Sequence, residues 1–332
     1  MTINNKQCIL HIGAPKTGST ALQKMLTSNR AALSILGWEY PDVSLRGFGH
    51  HDLAFLISGE YPKWATSQER PLEDLVKDLT AELKGKRHAI ISSENFYLFP
   101  KPQDTAEILA QAGFPPETVF VAAYVRRQDE VHISWYNQAV KAQGYTGEIT
   151  ECIAETMDLW DYAKQLEPWA GVFGRDNIII RPYQPEDLVE ESIYNDFLRL
   201  AGLSTGHVAF PETTTNTRIN RDILEFQRLV NRLPLSVQEK RRFHRELIEL
   251  TAAAASMDLF DDSPFLTADQ RQEILSSYAA SNAHVAKTYL GREHLFNETI
   301  AADPPEKSIS QGLIQEKLVY ILGWILAKHP KK

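Results

Sequence analysis

Four short apolar runs, each closing on polar or glycine-containing sequence, set the rhythm of this chain: Gln7–Ile12, His88–Ser92, Val119–Val125 and Asn177–Arg181. Runs of this length, rich in Val and Ile, read as strands buried on both faces. Between them the apolar period changes. Leu22, Met25 and Leu26 recur on one face of a helix expected over Thr20–Arg30, and Val131, Trp135 and Ala139 do so within Asp129–Lys141. Helical patterns also cover Asp52–Ser58, Leu72–Leu83, Asp104–Gln111, Ile149–Gln165 and Glu190–Leu200. Strands alternating with helices predict an α/β fold, a parallel sheet flanked by helices. After Gly202 the character changes: Pro211 to Thr217 is polar and turn-rich, and helical patterns then run from about Asn220 to Leu290. The expected organisation is an α/β core over residues 1–203, with a helical C-terminal portion over 204–332 completing the same domain and its cleft.

The first strand runs into the loop Gly13-Ala14-Pro15-Lys16-Thr17-Gly18, and a helix follows at once. Strand, glycine loop and helix point backbone N–H groups and a helix N-terminus at an anion, so the sheet is expected to be of the P-loop type. Gly13 and Gly18 stand five positions apart with Thr20 two further on, close to the Walker A spacing. The position where a nucleoside triphosphatase needs Lys holds Ser19, and the loop's lysine is Lys16, two residues before Gly18. A tight strand–helix connection with glycines that serve only the turn is the competing reading.

The string PKTGST, followed by Leu22 and Gln23, resembles the 5′-phosphosulfate loop of sulfotransferases, which take sulfuryl groups from 3′-phosphoadenosine 5′-phosphosulfate (PAPS). A second half-site follows at Val119 to Gln138, where Arg126 stands at a strand end and Ser134 lies eight residues later in a helix. Sulfotransferases use an arginine and a serine at this spacing to hold the 3′-phosphate, as a guanidinium fork and a hydroxyl suit that group. Arg127-Gln128 departs from the family's usual Asn-Pro, which leaves Arg126 and Arg127 both open, with the spacing to Ser134 pointing to Arg126. Residues 7 to 203 are similar to bacterial sulfotransferases. The resemblance implies a PAPS donor bound by Lys16, Thr17, Gly18, Ser19, Thr20, Arg126 and Ser134, no metal, and a hydroxylated acceptor, either a saccharide or another small molecule.

Such chemistry needs a base for the acceptor hydroxyl. Glu94 follows the strand His88–Ser92, at the edge where open α/β sheets bind ligands. His51, or His50 beside it, is the second candidate, because imidazole titrates near neutral pH unaided. Strand-edge position puts Glu94 first. Lys16, Glu94 and His51 are therefore the expected catalytic groups. A P-loop kinase or triphosphatase, and a non-catalytic nucleotide- or glycan-binding protein, are the alternatives.

Composition narrows the field further. A chain of 332 residues, 43% apolar and 23% charged, can bury a large core. A formal charge of −8 argues against a nucleic-acid partner. Two cysteines, Cys8 and Cys152, imply no disulfide framework. The opening MTINNKQCILHIG lacks the features of a secretory signal, so a cytoplasmic location is expected. The apolar stretch Leu318 to Ala327 is too short to span a bilayer and reads as a docked terminal helix; a membrane-surface contact through 318–332 is the lesser reading. The run Glu239 to Arg245 reads as a solvated helix face.

Overall fold

The computed structural model describes residues 6–62, 65–67, 70–211, 218–240, 242–260, 263–297, 299–300, 302 and 312–328. Most of the turn-rich run before Asn220, at 212–217, and the terminal 329–332 lie outside the described residues. One parallel sheet has the strand order β2-β3-β1-β4-β5, with β1 at Gln7–His11, β2 at Trp38–Glu39, β3 at His88–Ser92, β4 at Val119–Val125 and β5 at Ile178–Pro182. In the central pairings His11 stands opposite both Ser92 of β3 and Ala122 of β4. The apolar residues of β1, β3 and β4 are almost all buried, as expected for strands covered on both faces. Although β3 and β4 are consecutive strands, they flank β1. β1 sends its connection toward β2 and its neighbour β4 sends its own toward β5, away from each other, which is the arrangement where open α/β sheets bind ligands at the carboxyl ends of the strands.

The chain divides into two compact units whose segments interleave along the sequence. The first, Met1–Arg127, Asp158–Thr213 and Tyr278–Asn297, contains the whole sheet. Within it the helix Ser19–Ser28 buries Leu22, Met25 and Leu26 in one cluster with Ile9, Ile90, Tyr124 and Phe197. The helix Tyr162–Phe173 packs against β4 and β5. The second unit, Gln128–Met157, Thr214–Ser277 and Glu298–Lys332, is helical among the described residues. Its core gathers Tyr136, Val140, Ile223, Leu250, Ile321 and Ile325. Ile321 and Ile325 dock the terminal helix Gln315–Lys328 on that core, and Lys317 pairs with Asp222 at 2.7 Å, both side chains nearly buried. No described helix is long and apolar enough to cross a membrane.

Several element ends differ from expectation for local reasons. The helix expected over Ile149–Gln165 is Ile149–Thr156, a 3-10 turn at Met157–Trp160, and a new helix from Tyr162. The Asp161 carboxylate caps that helix by accepting from Lys164 N at 3.1 Å. The helix expected from Glu190 begins at Ile193, because Glu190 and Glu191 take positive φ and Ser192 is the cap. The expected helix Asp129–Lys141 is α-helical over Gln128–Gln138, then widens to a π-helix over Ala139–Gln143 that ends on left-handed Gly144.

Candidate functional site

β1 feeds a loop whose first amides are already spoken for. Ile12 N and Ala14 N donate to Ala122 O and Tyr124 O, each at 3.0 Å, so β4 grips the chain beyond the formal end of the strand. The loop then turns through three left-handed residues, Gly13 at φ 56°, Lys16 at 71° and Gly18 at 84°. A Cβ on Gly13 would meet Ser19 Oγ at 2.8 Å, and one on Gly18 would meet Ile193 Cδ1 at 2.9 Å and Tyr183 at 3.0 Å. Both glycines are needed for space as well as for dihedral freedom. Lys16 has neither excuse, and a long side chain held at positive φ is strain of the kind found where geometry serves a ligand. The Thr17 hydroxyl, fully buried, donates to Ala14 O at 2.6 Å and ties the loop to itself.

The helix Ser19–Ser28 starts immediately after Gly18, which offers no side-chain cap to the first-turn amides. Ser19 is 5% exposed, and its Oγ has no hydrogen-bond partner among the described residues. A buried hydroxyl without a partner, at an uncapped helix N-terminus and beside a lysine-bearing turn, fits an anionic oxygen ligand. Thr20 is exposed and Lys16 half-buried.

Glu94 lies two residues beyond β3 and comes alongside this loop, its Cβ 3.5 Å from where a Gly13 Cβ would stand. Gln23 Nε2, buried on the core face of the Ser19–Ser28 helix, donates to Glu94 Oε2 at 2.9 Å and to Ser92 Oγ at 3.3 Å. His51, the first residue of the helix His51–Ser58, places its Nδ1 2.8 Å from Ser93 Oγ, 2.9 Å from Asn95 Nδ2 and 4.0 Å from Glu94 Oε2. The Gly13–Gly18 loop, Glu94 and His51 thus gather along the carboxyl ends of β1 and β3. Gly49 lets them approach so closely: a Cβ there would fall 2.9 Å from both His51 Nε2 and Gln23 Cδ.

His50 has a different fate from its neighbour. It is fully buried, accepts from Ser92 N at 3.1 Å through Nδ1, and donates through Nε2 to Pro41 O at 3.0 Å. Burial pushes its pKa down to about 3, and both nitrogens are occupied, so the ring holds the loop against β3 as a neutral group. His11 is likewise fully buried, its Nδ1 2.8 Å from Ser92 Oγ, with a pKa pushed down to about 4 by burial.

At the end of β4, Tyr162 clamps the backbone of Arg126: its hydroxyl accepts from Arg126 N at 3.1 Å and donates to Arg126 O at 2.5 Å. The Arg127 guanidinium donates to Asn297 O at 2.9 Å. Arg126 belongs to the sheet-bearing unit, whereas Ser134 lies half-buried on the helix Gln128–Gln138 of the helical unit. Sequence reasoning named Gln23 only alongside the PKTGST string and assigned it no partner, and it did not single out Ser93 and Asn95, which the structure sets beside Glu94 and His51. One signal was available: Gln23 is a polar residue on the apolar face marked by Leu22, Met25 and Leu26.

No protein-family model matches the chain, and no curated protein matches it. Among solved structures, a sulfotransferase from Alicyclobacillus acidocaldarius is similar, with a TM-score of 0.42 and 19% identity over 64% of this chain and 86% of that one.

Proposed function

We propose that this protein is a sulfotransferase that moves the sulfuryl group of PAPS to a hydroxyl of a carbohydrate or another hydroxylated metabolite. The observation that carries the reading is the buried, unpartnered Ser19 Oγ at the uncapped N-terminus of its helix, in a loop whose cation is Lys16. In this reading the amides of Thr17, Gly18, Ser19 and Thr20 hold the 5′-phosphosulfate. The Lys16 ammonium offsets the charge that grows on the leaving phosphate oxygen. Arg126 takes the 3′-phosphate, while Arg127 is engaged with the Asn297 carbonyl. Glu94 accepts the acceptor's hydroxyl proton as the new O–S bond forms and the S–O bond to the 5′-phosphate breaks. His51 orients the acceptor. A kinase would put lysine directly after Gly18, where this chain has Ser19.

The test is calorimetry with 3′-phosphoadenosine 5′-phosphate, the desulfated donor, against ATP, followed by PAPS with a panel of hydroxylated acceptors. Preference for the desulfated donor and transfer to at least one acceptor are expected. Tighter binding of ATP, with magnesium-dependent hydrolysis, would sink the proposal. Donor binding without transfer to any acceptor would leave a nucleotide-binding protein.

A further inference from the structure

We infer that His51 works as an Nε2–H hydrogen-bond donor, its ring proton fixed on Nε2 by Ser93 and Asn95, and that it does not accept the proton of the acceptor hydroxyl. The catalytic half of this inference rests on the sulfuryl-transfer reading; the position of the ring proton rests on geometry alone.

A neutral imidazole has one donor nitrogen and one acceptor nitrogen, and the neighbours decide which is which. Asn95 Nδ2, which can only donate, lies 2.9 Å from His51 Nδ1. Ser93 Oγ, 2.8 Å from the same nitrogen, accepts from Asn95 N at 3.2 Å and from Asn95 Nδ2 at 3.3 Å. With both lone pairs of Ser93 taken, its single hydroxyl hydrogen is directed at Nδ1. Two donors therefore converge on Nδ1, which must supply the lone pair. Ser93 is fully buried and Asn95 2% exposed, so bulk water does not compete for these bonds.

The other charged and titratable neighbours agree. Glu94 Oε2 is the acceptor that would favour a proton on Nδ1, but it stands 4.0 Å away, beyond hydrogen-bond reach, and receives the Gln23 amide at 2.9 Å. His50 turns its nitrogens to Pro41 O and Ser92 N, and Arg46 spends its Nε on Asp52 at 2.6 Å. The Nε2 edge of His51 faces Gly49 and has no hydrogen-bond partner among the described residues.

A ring in this state offers no lone pair at Nε2, and its Nδ1 lone pair is already bonded. It orients an oxygen of the bound acceptor by donation, and the proton of the reacting hydroxyl goes to the Glu94 carboxylate. Ser93 and Asn95 are positioning residues that act through the histidine ring.

The test reads the ring proton directly, by long-range proton–nitrogen NMR on protein labelled with 15N-histidine. Wild type is expected to show a pyrrole-like Nε2 and a pyridine-like Nδ1 at His51. Asn95→Asp exchanges the donor for an acceptor and is expected to move the proton to Nδ1. An Nδ1–H ring in wild type would overturn the inference, whatever Asn95→Asp does. In transfer assays His51→Gln, which carries an N–H at similar reach, should keep turnover within about fivefold of wild type, whereas His51→Ala should raise the acceptor KM about tenfold or more. Equal loss of kcat in both variants with KM unchanged would restore the histidine as base and overturn the proposal. Absence of transfer by wild type would refute the sulfuryl reading, and the NMR result would still decide the tautomer.

Discussion

The Gln23 side-chain amide donates to Glu94 Oε2 at 2.9 Å, joining the helix that begins after Gly18 to the carboxylate beyond β3. One buried amide thereby fixes the distance between the proposed donor loop and the proposed base. Glu94→Gln keeps the shape and a carbonyl oxygen for Gln23 but loses the basicity. Turnover is expected to fall by about 10²–10⁴ with the affinity for 3′-phosphoadenosine 5′-phosphate unchanged. Near-normal turnover with His51→Ala inactive would move the base to the histidine.

Lys16→Ala and Ser19→Ala separate charge from hydrogen bonding in the donor loop. Lys16→Ala should act mainly on kcat, because the charge it meets grows in the transition state. Ser19→Ala removes a buried hydroxyl that has no partner among the described residues, so its stability cost should be small, below about 1 kcal/mol. Its donor affinity should nevertheless weaken. Unfolding midpoints, calorimetry and turnover distinguish the two, and normal turnover in Lys16→Ala together with unchanged donor affinity in Ser19→Ala would remove the loop from the donor site.

Much of this was legible in the sequence, and the gaps have physical causes. β1, β3, β4 and β5 were readable because buried parallel strands are nearly continuous apolar runs. β2 was not, since two residues, Trp38 and Glu39, carry no period. The turn between β1 and the following helix announced itself through Gly13 and Gly18, both at positive φ. The bond from Gln23 to Glu94 did not, because the two are 71 residues apart and a lone polar residue on an apolar face carries no address. His50 and His51 are indistinguishable as neighbours in sequence, and only the packing against β3 buries one ring and leaves the other at the site.

Arg126→Ala should weaken binding of 3′-phosphoadenosine 5′-phosphate by about 1.5–3 kcal/mol, with little effect on adenosine 5′-phosphosulfate, which lacks the 3′-phosphate. Arg127→Ala should spare both ligands, since its guanidinium is committed to Asn297 O. Calorimetry with the two nucleotides checks this. If Arg127→Ala shows the selective loss instead, the two arginines exchange roles.

Gly49→Ala should disturb the site without touching a charged group. Its methyl would lie 2.8 Å from His51 Cε1 and 2.9 Å from Gln23 Cδ, too close for either side chain to stay. Overpacking of this kind costs about 1–3 kcal/mol. Because Gln23 holds Glu94, turnover should drop more than stability suggests. Gly206→Ala, with nothing within 4 Å of the new methyl, is the control and should leave turnover unchanged. Wild-type turnover in Gly49→Ala would mean that His51 and Gln23 are free to move.

Acid should destabilise the fold through His50 and His11. Burial holds their pKa values down to about 3 and about 4, against an ordinary value of 6.5. For a group with a depressed native pKa, the unfolded chain binds the extra proton first as pH falls, so stability rises with pH across the window. The stabilisation is complete above pH 6.5, declines as pH falls, and is gone once pH passes below the native values near 4 and 3. At pH 5 each histidine should already cost about 2 kcal/mol relative to neutral pH. His50→Gln cannot titrate, yet its amide can still accept from Ser92 N and donate to Pro41 O, so it should lose about half of this acid sensitivity while remaining folded at neutral pH. Urea unfolding at pH 7 and pH 5 measures the difference. An equal acid-induced drop in wild type and His50→Gln would show that His50 is not held neutral by the fold, and the loop it anchors would then owe its place beside Glu94 to other contacts.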